Sequence, residues 1–151
     1  MTKTINLENY EVVDIVNRFN AEDSILNSKD PNKTLPITIL WKINRNVKAF
    51  KKVYEEIHEM EEKINQEYFN SDKSAPNEEG LMEVLLEYRD EFLSKKNDLM
   101  SIKTDISIET IPLSSLEGLN FVPADFQSIE MMIDDGEQET IAMDVAQEPI
   151  V

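Results

Sequence analysis

Three features of the sequence predict an α+β fold, mostly helical, built as a long antiparallel helical hairpin with a short two-stranded ribbon and an acidic C-terminal tail. Two long stretches without glycine carry apolar residues at alternating spacings of four and three, as a packed pair of helices requires. Two short segments, one before and one after them, alternate polar and apolar residues with the period of a strand. Beyond Lys103 the chain has eleven acids and no base. A chain of 151 residues can bury one real core. The expected organisation is therefore one helical-hairpin domain over 1–133 and a flexible acidic tail over 134–151.

Residues 2–7 alternate, with Ile5 and Leu7 on one side, and predict the first strand. Asn6 is placed to cap the helix that follows, where Val12, Ile15, Val16 and Phe19 form one apolar stripe over about 8–19. Residues 20–34 are rich in turn formers and predict a loop. The long helix opens near Pro36, with Thr34 as a candidate cap, and runs to about Phe69. Its seam is Ile43, Val47, Phe50, Tyr54, Ile57, Glu61, Ile64 and Tyr68, broken once by Glu61. After a polar loop over 70–80, a second helix over about 81–100 has the seam Leu81, Leu85, Tyr88, Phe92, Lys95, Leu99 and Ile102, broken once by Lys95. Pairing Tyr68 with Leu81 sets Glu61 opposite Tyr88 and Lys95 opposite Tyr54. Each charge then meets a phenol that covers its stem. Residues 105–111 alternate again, with Ile106 and Ile108 on one face, and predict a strand stopped by Pro112 that partners the N-terminal strand. A turn-rich stretch leads to a short helix opening at Val122-Pro123-Ala124-Asp125-Phe126.

Composition narrows the chemistry. Cysteine is absent, so disulfides, thiolate nucleophiles and cysteine zinc sites are out of reach. The first ten residues lack the apolar core of a secretory signal, and no apolar run spans a bilayer. His58 is the only histidine. Glu55-x-x-His58 has the spacing of one half of a di-iron site, and His58-Glu59 is half of a zinc motif, but each needs a second histidine. Asp134-Asp135-Gly136 lacks the alternating acids of a calcium loop, and three scattered glycines build no phosphate cradle. The expectation is no catalytic residue, no metal and no cofactor.

The formal net charge of −16 repels nucleic acid and anionic lipid. It is unevenly placed: residues 1–54 hold nine Lys/Arg against six acids, whereas 55–151 hold six against twenty-five. Two readings stand side by side, a solvated acidic surface and an acidic face that docks on a basic protein surface, including as a mimic of DNA. On the second reading Asp134, Asp135, Glu137 and Glu139 are the candidate partner-binding residues. Lys42, Arg45, Lys48 and Lys52, with Lys51 nearby, form a basic strip on the long helix. It is either a solvated face or an electrostatic handle for the acidic tail or a second copy. Trp41 is expected in the core.

The segment order also resembles a family of small proteins of tailed phages and prophages of Gram-positive bacteria, classed as a domain of unknown function. The resemblance rests on three places. They are the strand-to-helix start Ile5-Asn-Leu-Glu-Asn-Tyr10, the charged helix run from Lys51 to Glu62, and the strand Ile106-Ser-Ile-Glu-Thr-Ile111 followed by Pro112-Leu-Ser-Ser-Leu116 and the helix start Val122-Pro-Ala-Asp-Phe-Gln-Ser-Ile129. It covers about residues 3–133 and implies a phage origin, the cytoplasm of a host bacterium and no established activity. Together the charge and the resemblance predict a non-catalytic phage accessory protein that binds and modulates another protein, a host defence or nucleic-acid enzyme being the most concrete target. The alternative is a virion or assembly component that packs against copies of itself or a structural partner.

Overall fold

The computed structural model describes residues 1–21, 35–70, 72–119 and 123–134. The order of elements is β1 (Thr2–Glu8), α1 (Asn9–Asn20), α2 (Ile37–Phe69), β2 (Ser74–Pro76), β3 (Met82–Val84), α3 (Leu86–Ser101), β4 (Lys103–Glu109), β5 (Ile111–Pro112), a 3-10 turn over Leu113–Leu116, α4 (Pro123–Ile129), a second 3-10 turn over Glu130–Met132, and β6 (Ile133–Asp134). The fold is thus α+β and mostly helical. No helix among the described residues is long and apolar enough to cross a membrane.

Among the described residues the strands form three two-stranded sheets, β1 with β4, β2 with β3, and β5 with β6. The pair β2–β3 is antiparallel and β5–β6 is parallel. The described residues fall into two compact units, one drawn from 1–5, 17–21, 35–49, 107–119 and 123–134, the other from 6–16, 50–70 and 72–106.

The first unit has Phe19, Ile39, Ile43, Val47, Ile108, Ile111, Leu116, Ile129 and Met132 as its apolar interior. Spacing explains the α2 members: Ile39, Ile43 and Val47 recur every four residues and so share a helix face. Asn46 lies on that face, fully buried. Its amide donates from Nδ2 to the Glu109 carbonyl at 2.9 Å and accepts from the Glu109 N–H at 2.7 Å. Both backbone groups of Glu109, at the end of β4, are thereby paired by one side chain. The next residue, Thr110, donates its N–H (2.9 Å) and its hydroxyl (3.0 Å) to the Met1 carbonyl. The Thr110 carbonyl accepts from Lys42 Nζ at 2.9 Å.

The second unit buries Val12, Ile15, Val16, Phe50, Ile57, Tyr68, Val84, Leu99 and Ile106. A buried asparagine again ties helix to strand. Asn9 donates from Nδ2 to the Leu99 carbonyl at 2.8 Å, accepts from Thr104 Oγ1 at 3.1 Å, and gives its N–H to the Ile102 carbonyl at 2.9 Å. The Leu99 carbonyl, at the C-terminal end of α3, also accepts from the Ile102 N–H at 3.3 Å, and the Ile102 carbonyl lies just beyond the helix, where intrahelical donors have run out.

Several expectations need correction. Asn6 does not cap α1; its Nδ2 donates to Asp105 Oδ1 at 2.7 Å, and Glu11 Oε1 accepts from the Glu8 N–H at 3.2 Å. The polar loop over 70–80 contains β2, and α3 begins at Leu86 rather than near Leu81, because residues 82–84 pair as a strand with 74–76. Leu81 and Ile102 are exposed, so the second seam lacks both of its ends. The proposed register gives way as well. Tyr68 packs edge-on against Phe92 (centroids 5.2 Å), Lys95 pairs with Glu67 and Lys96 with Glu61. A five-residue loop and two short strands lengthen the connection, so Tyr68 meets a residue eleven positions beyond Leu81. Pro112 does not end strand structure either, since it pairs with Asp134 in β5–β6, where a short edge strand tolerates the missing N–H. The short helix is α4 as expected, but Val122 lies outside the described residues, as do Thr34 and most of the 20–34 loop.

Candidate functional site

The most distinctive surface of the second unit is the β2–β3 hairpin and the first turn of α3. Asn77 organises the loop. Its Oδ1 accepts from the N–H groups of Glu79 and Leu81, both at 2.9 Å, its N–H donates to the Leu81 carbonyl at 2.7 Å, and its carbonyl accepts from the Gly80 N–H at 3.0 Å. Gly80 has φ +82°, a left-handed conformation that a side chain would strain. This loop holds Leu81 and Met82 out in solvent, and Leu86 follows at 79% exposure. Glu78, Glu79, Glu83 and Glu87, on the same stretch of chain, are exposed as well. Asn77 Nδ2 donates to Glu83 Oε1 at 2.9 Å, and Arg89 lies 4.0 Å from Glu83. Four carboxylates and three apolar side chains thus share one short, hydrogen-bonded tip. Such a surface suits docking on a partner that offers both a basic rim and an apolar pocket.

Behind the tip, α2 and α3 meet in a charged aromatic cluster. Lys95 Nζ donates to both Glu67 oxygens, at 2.9 and 3.1 Å, and Lys73 stands 3.6 Å from the same carboxylate. Lys73 and Lys95 also lie over the Tyr68 ring, at 4.8 and 5.3 Å from its centroid. Tyr68 is fully buried, and its hydroxyl has no hydrogen-bond partner among the described residues. The Lys95 hydrogen bond holds the Glu67 carboxyl below its ordinary range, and in return Glu67 holds Lys95 above its own. Burial, followed by the Glu91 carboxylate, pushes the Tyr68 phenol up.

These shifts set the pH response of the cluster. Lys95 and Tyr68 contribute stability that is complete below about pH 10 and is lost as pH rises through their raised values. Glu67 contributes stability present above about pH 4 and lost as pH falls through its lowered value. Glu67 is 44% exposed, so solvent screens its pair and the effect is small. Urea midpoints taken across the acid range should fall less steeply in Glu67→Gln than in the wild type. Identical slopes would show that this pair does not carry the acid sensitivity.

Of the residues singled out for partner binding, only Asp134 lies within the described residues. It is half-buried in β6 opposite Pro112. Asp135, Glu137 and Glu139 lie outside them, as does the expected tail from 135 onward. His58 is exposed, stacks on Tyr54 (centroids 6.4 Å) and sits 3.6 Å from Glu62 one helical turn on. Among the described residues no three His, Asp or Glu side chains converge as metal ligands would.

The basic strip divides. Lys42 is bound to the Thr110 carbonyl, whereas Arg45 and Lys48 of the first unit are exposed. Trp41 is not in the core: it is 52% exposed, with the Arg45 guanidinium 4.7 Å above its ring. The reason is its position on α2, about 160° from Ile39 and Ile43 at 100° per residue, on the side away from the interior. Ile37, Thr38, Trp41 and Lys42 line an open apolar groove of about 450 Å³.

The hairpin tip is absent from the sequence reading because Leu81 fits the periodicity of the following helix. The signal against that assignment is Asn77 with Gly80 three residues later, flanked by Ser74-Ala-Pro76 and Met82-Glu-Val84, a turn between two short strands. Asn46 and Asn9 leave no such signal, since an asparagine in an amphipathic helix reads as surface until its partner is known. No family model, curated protein or solved structure matches the chain.

Proposed function

We propose that this chain is a non-catalytic accessory protein that binds and modulates another protein through an acidic surface with apolar residues at its centre. The observation that carries the reading is the tip formed by β2, β3 and the start of α3, where exposed Glu78, Glu79, Glu83 and Glu87 are interleaved along the chain with exposed Leu81, Met82 and Leu86. The net charge of −16 supports it, because a field of one sign draws in a basic partner and turns away acidic ones. Asp134, Asp135, Glu137 and Glu139 add to the net negative charge and form the second acidic set of the proposal. The order of segments supports a phage origin and action in the cytoplasm of a host bacterium, with a defence or nucleic-acid enzyme as target. No nucleic acid, membrane, metal or cofactor is required.

The test is affinity capture with the full chain from infected cells, then kinetics with the captured partner. Neutralising Glu78, Glu79, Glu83 and Glu87 to Gln should lower the association rate roughly tenfold at low salt, leave dissociation little changed and flatten the salt dependence. Leu81→Ser with Met82→Ser should instead speed dissociation. Binding indifferent to all six changes and to salt would remove the tip from the interface. If the chain were recovered from purified particles in a fixed copy number, the virion-component reading would replace the inhibitor.

A further inference from the structure

The groove on the N-terminal half of α2 is a second surface with a different character. Ile37 is 77% exposed and Trp41 52%. Arg45 and Lys48 continue the same side of the helix one and two turns beyond Trp41. An apolar floor therefore runs directly into two exposed cations, on a chain that is otherwise strongly negative. We infer that this groove is the docking site of the chain's own C-terminal segment, with Ile141, Met143 and Val145 against Ile37 and Trp41, and Asp144 and Glu148 against Arg45 and Lys48.

Three observations select this occupant. The first is chemistry: residues 135–151 carry five acids and no base, and the sequence Ile141-Ala-Met-Asp-Val145 places its apolar residues beside Asp144. A groove of about 450 Å³ lies in the range of sites that accept a few side chains of this size. The second is reach. Asp134 pairs with Pro112, Ile111 precedes Pro112, and the Thr110 carbonyl holds Lys42 of the groove wall. That path spans on the order of 20 Å, from strand separations near 4.8 Å and residue steps of 3.8 Å. Seven residue steps lead from Asp134 to Ile141 and extend up to roughly 25 Å. The third is repulsion between copies. A second copy brings another net charge of −16 toward the first, whereas a tethered segment meets the cations at an effective concentration of millimolar order without that penalty.

The sequence supplies its own reporters, with one tryptophan, which is in the groove, and no cysteine. Gln147→Cys in the full chain, carrying a nitroxide label, places a short-range quencher beside the docking segment. Chemical reduction of the nitroxide gives the unquenched control on the same molecule. Docking predicts that Trp41 emission rises at least about twofold on reduction, by an amount independent of protein concentration, as a tethered interaction at millimolar effective concentration requires. Ile141→Asp with Met143→Asp should abolish the quenching, and Lys48→Glu should weaken it, most visibly at low salt. No quenching would overturn the inference. So would quenching that grows with protein concentration, which assigns the groove to a second copy, or quenching that survives Ile141→Asp with Met143→Asp.

Discussion

Phe50→Ala should cost about 3–5 kcal/mol of stability, the largest loss from any single truncation in α2. Phe50 is fully buried, in line with Val47 before it and Ile57 after it on the same helix face. Removing the ring deletes its burial and leaves a cavity that a helix lying between fixed neighbours cannot close. Phe92→Ala is the natural comparison. Phe92 is only half-buried, and its ring meets Tyr68 and Phe69 edge-on, with centroids at 5.2 and 5.6 Å. Its loss should be smaller, about 1.5–3 kcal/mol, since only part of its surface leaves water on folding. Urea denaturation with unchanged m-values measures both. A Phe50→Ala cost below about 1 kcal/mol would mean that α2 does not bury this position.

The second large effect is expected at Asn46. Asn46→Ala strips both partners from Glu109, whose N–H and carbonyl are paired by the one amide. Leaving backbone donors and acceptors unpaired costs about 1–3 kcal/mol each, and the half-exposed position of Glu109 lets water recover some of it. A net loss of about 2–4 kcal/mol follows. Asn46→Leu separates the contributions, because leucine fills the space but restores neither hydrogen bond. It should remain nearly as destabilised as Asn46→Ala. Recovery to within about 0.5 kcal/mol of the wild type would show that packing, not the amide clasp, holds the end of β4. Asn9, which bridges Leu99 and Thr104 in the other unit, should behave in the same way when replaced by Ala.

The faces of the helices were legible without coordinates. Val12, Ile15, Val16 and Phe19 on α1, and Ile43, Val47, Phe50, Ile57 and Tyr68 on α2, are all buried, as their spacing implies. The strand alternation at Ile5 and Leu7, and at Ile106 and Ile108, was legible for the same reason. Periodicity is a property of one segment, and a segment carries it in its own order of residues. The placement of negative charge toward the C-terminal two thirds was equally plain.

What lies opposite each face was not. Tyr68 against Phe92, Lys95 on Glu67 and the hairpin tip between them depend on how the connection from 70 to 85 folds, and many connections fit the same two seams. The exposure of Trp41 ran against the expectation of a core position, because a large aromatic beside Leu40 suits a core or a surface groove until the neighbouring elements are placed. The candidate acids show the same division. Their number and sign come from composition, but only the folded chain leaves Glu78, Glu79, Glu83 and Glu87 exposed together with leucine and methionine on one hairpin tip. The amino-acid order by itself determined a mostly helical α+β protein, the inward side of its main helices and its charge. Tertiary structure alone decided the helix register, the two asparagine clasps and the surfaces left open for partners, because each is a contact between residues whose distance along the chain carries no local signal.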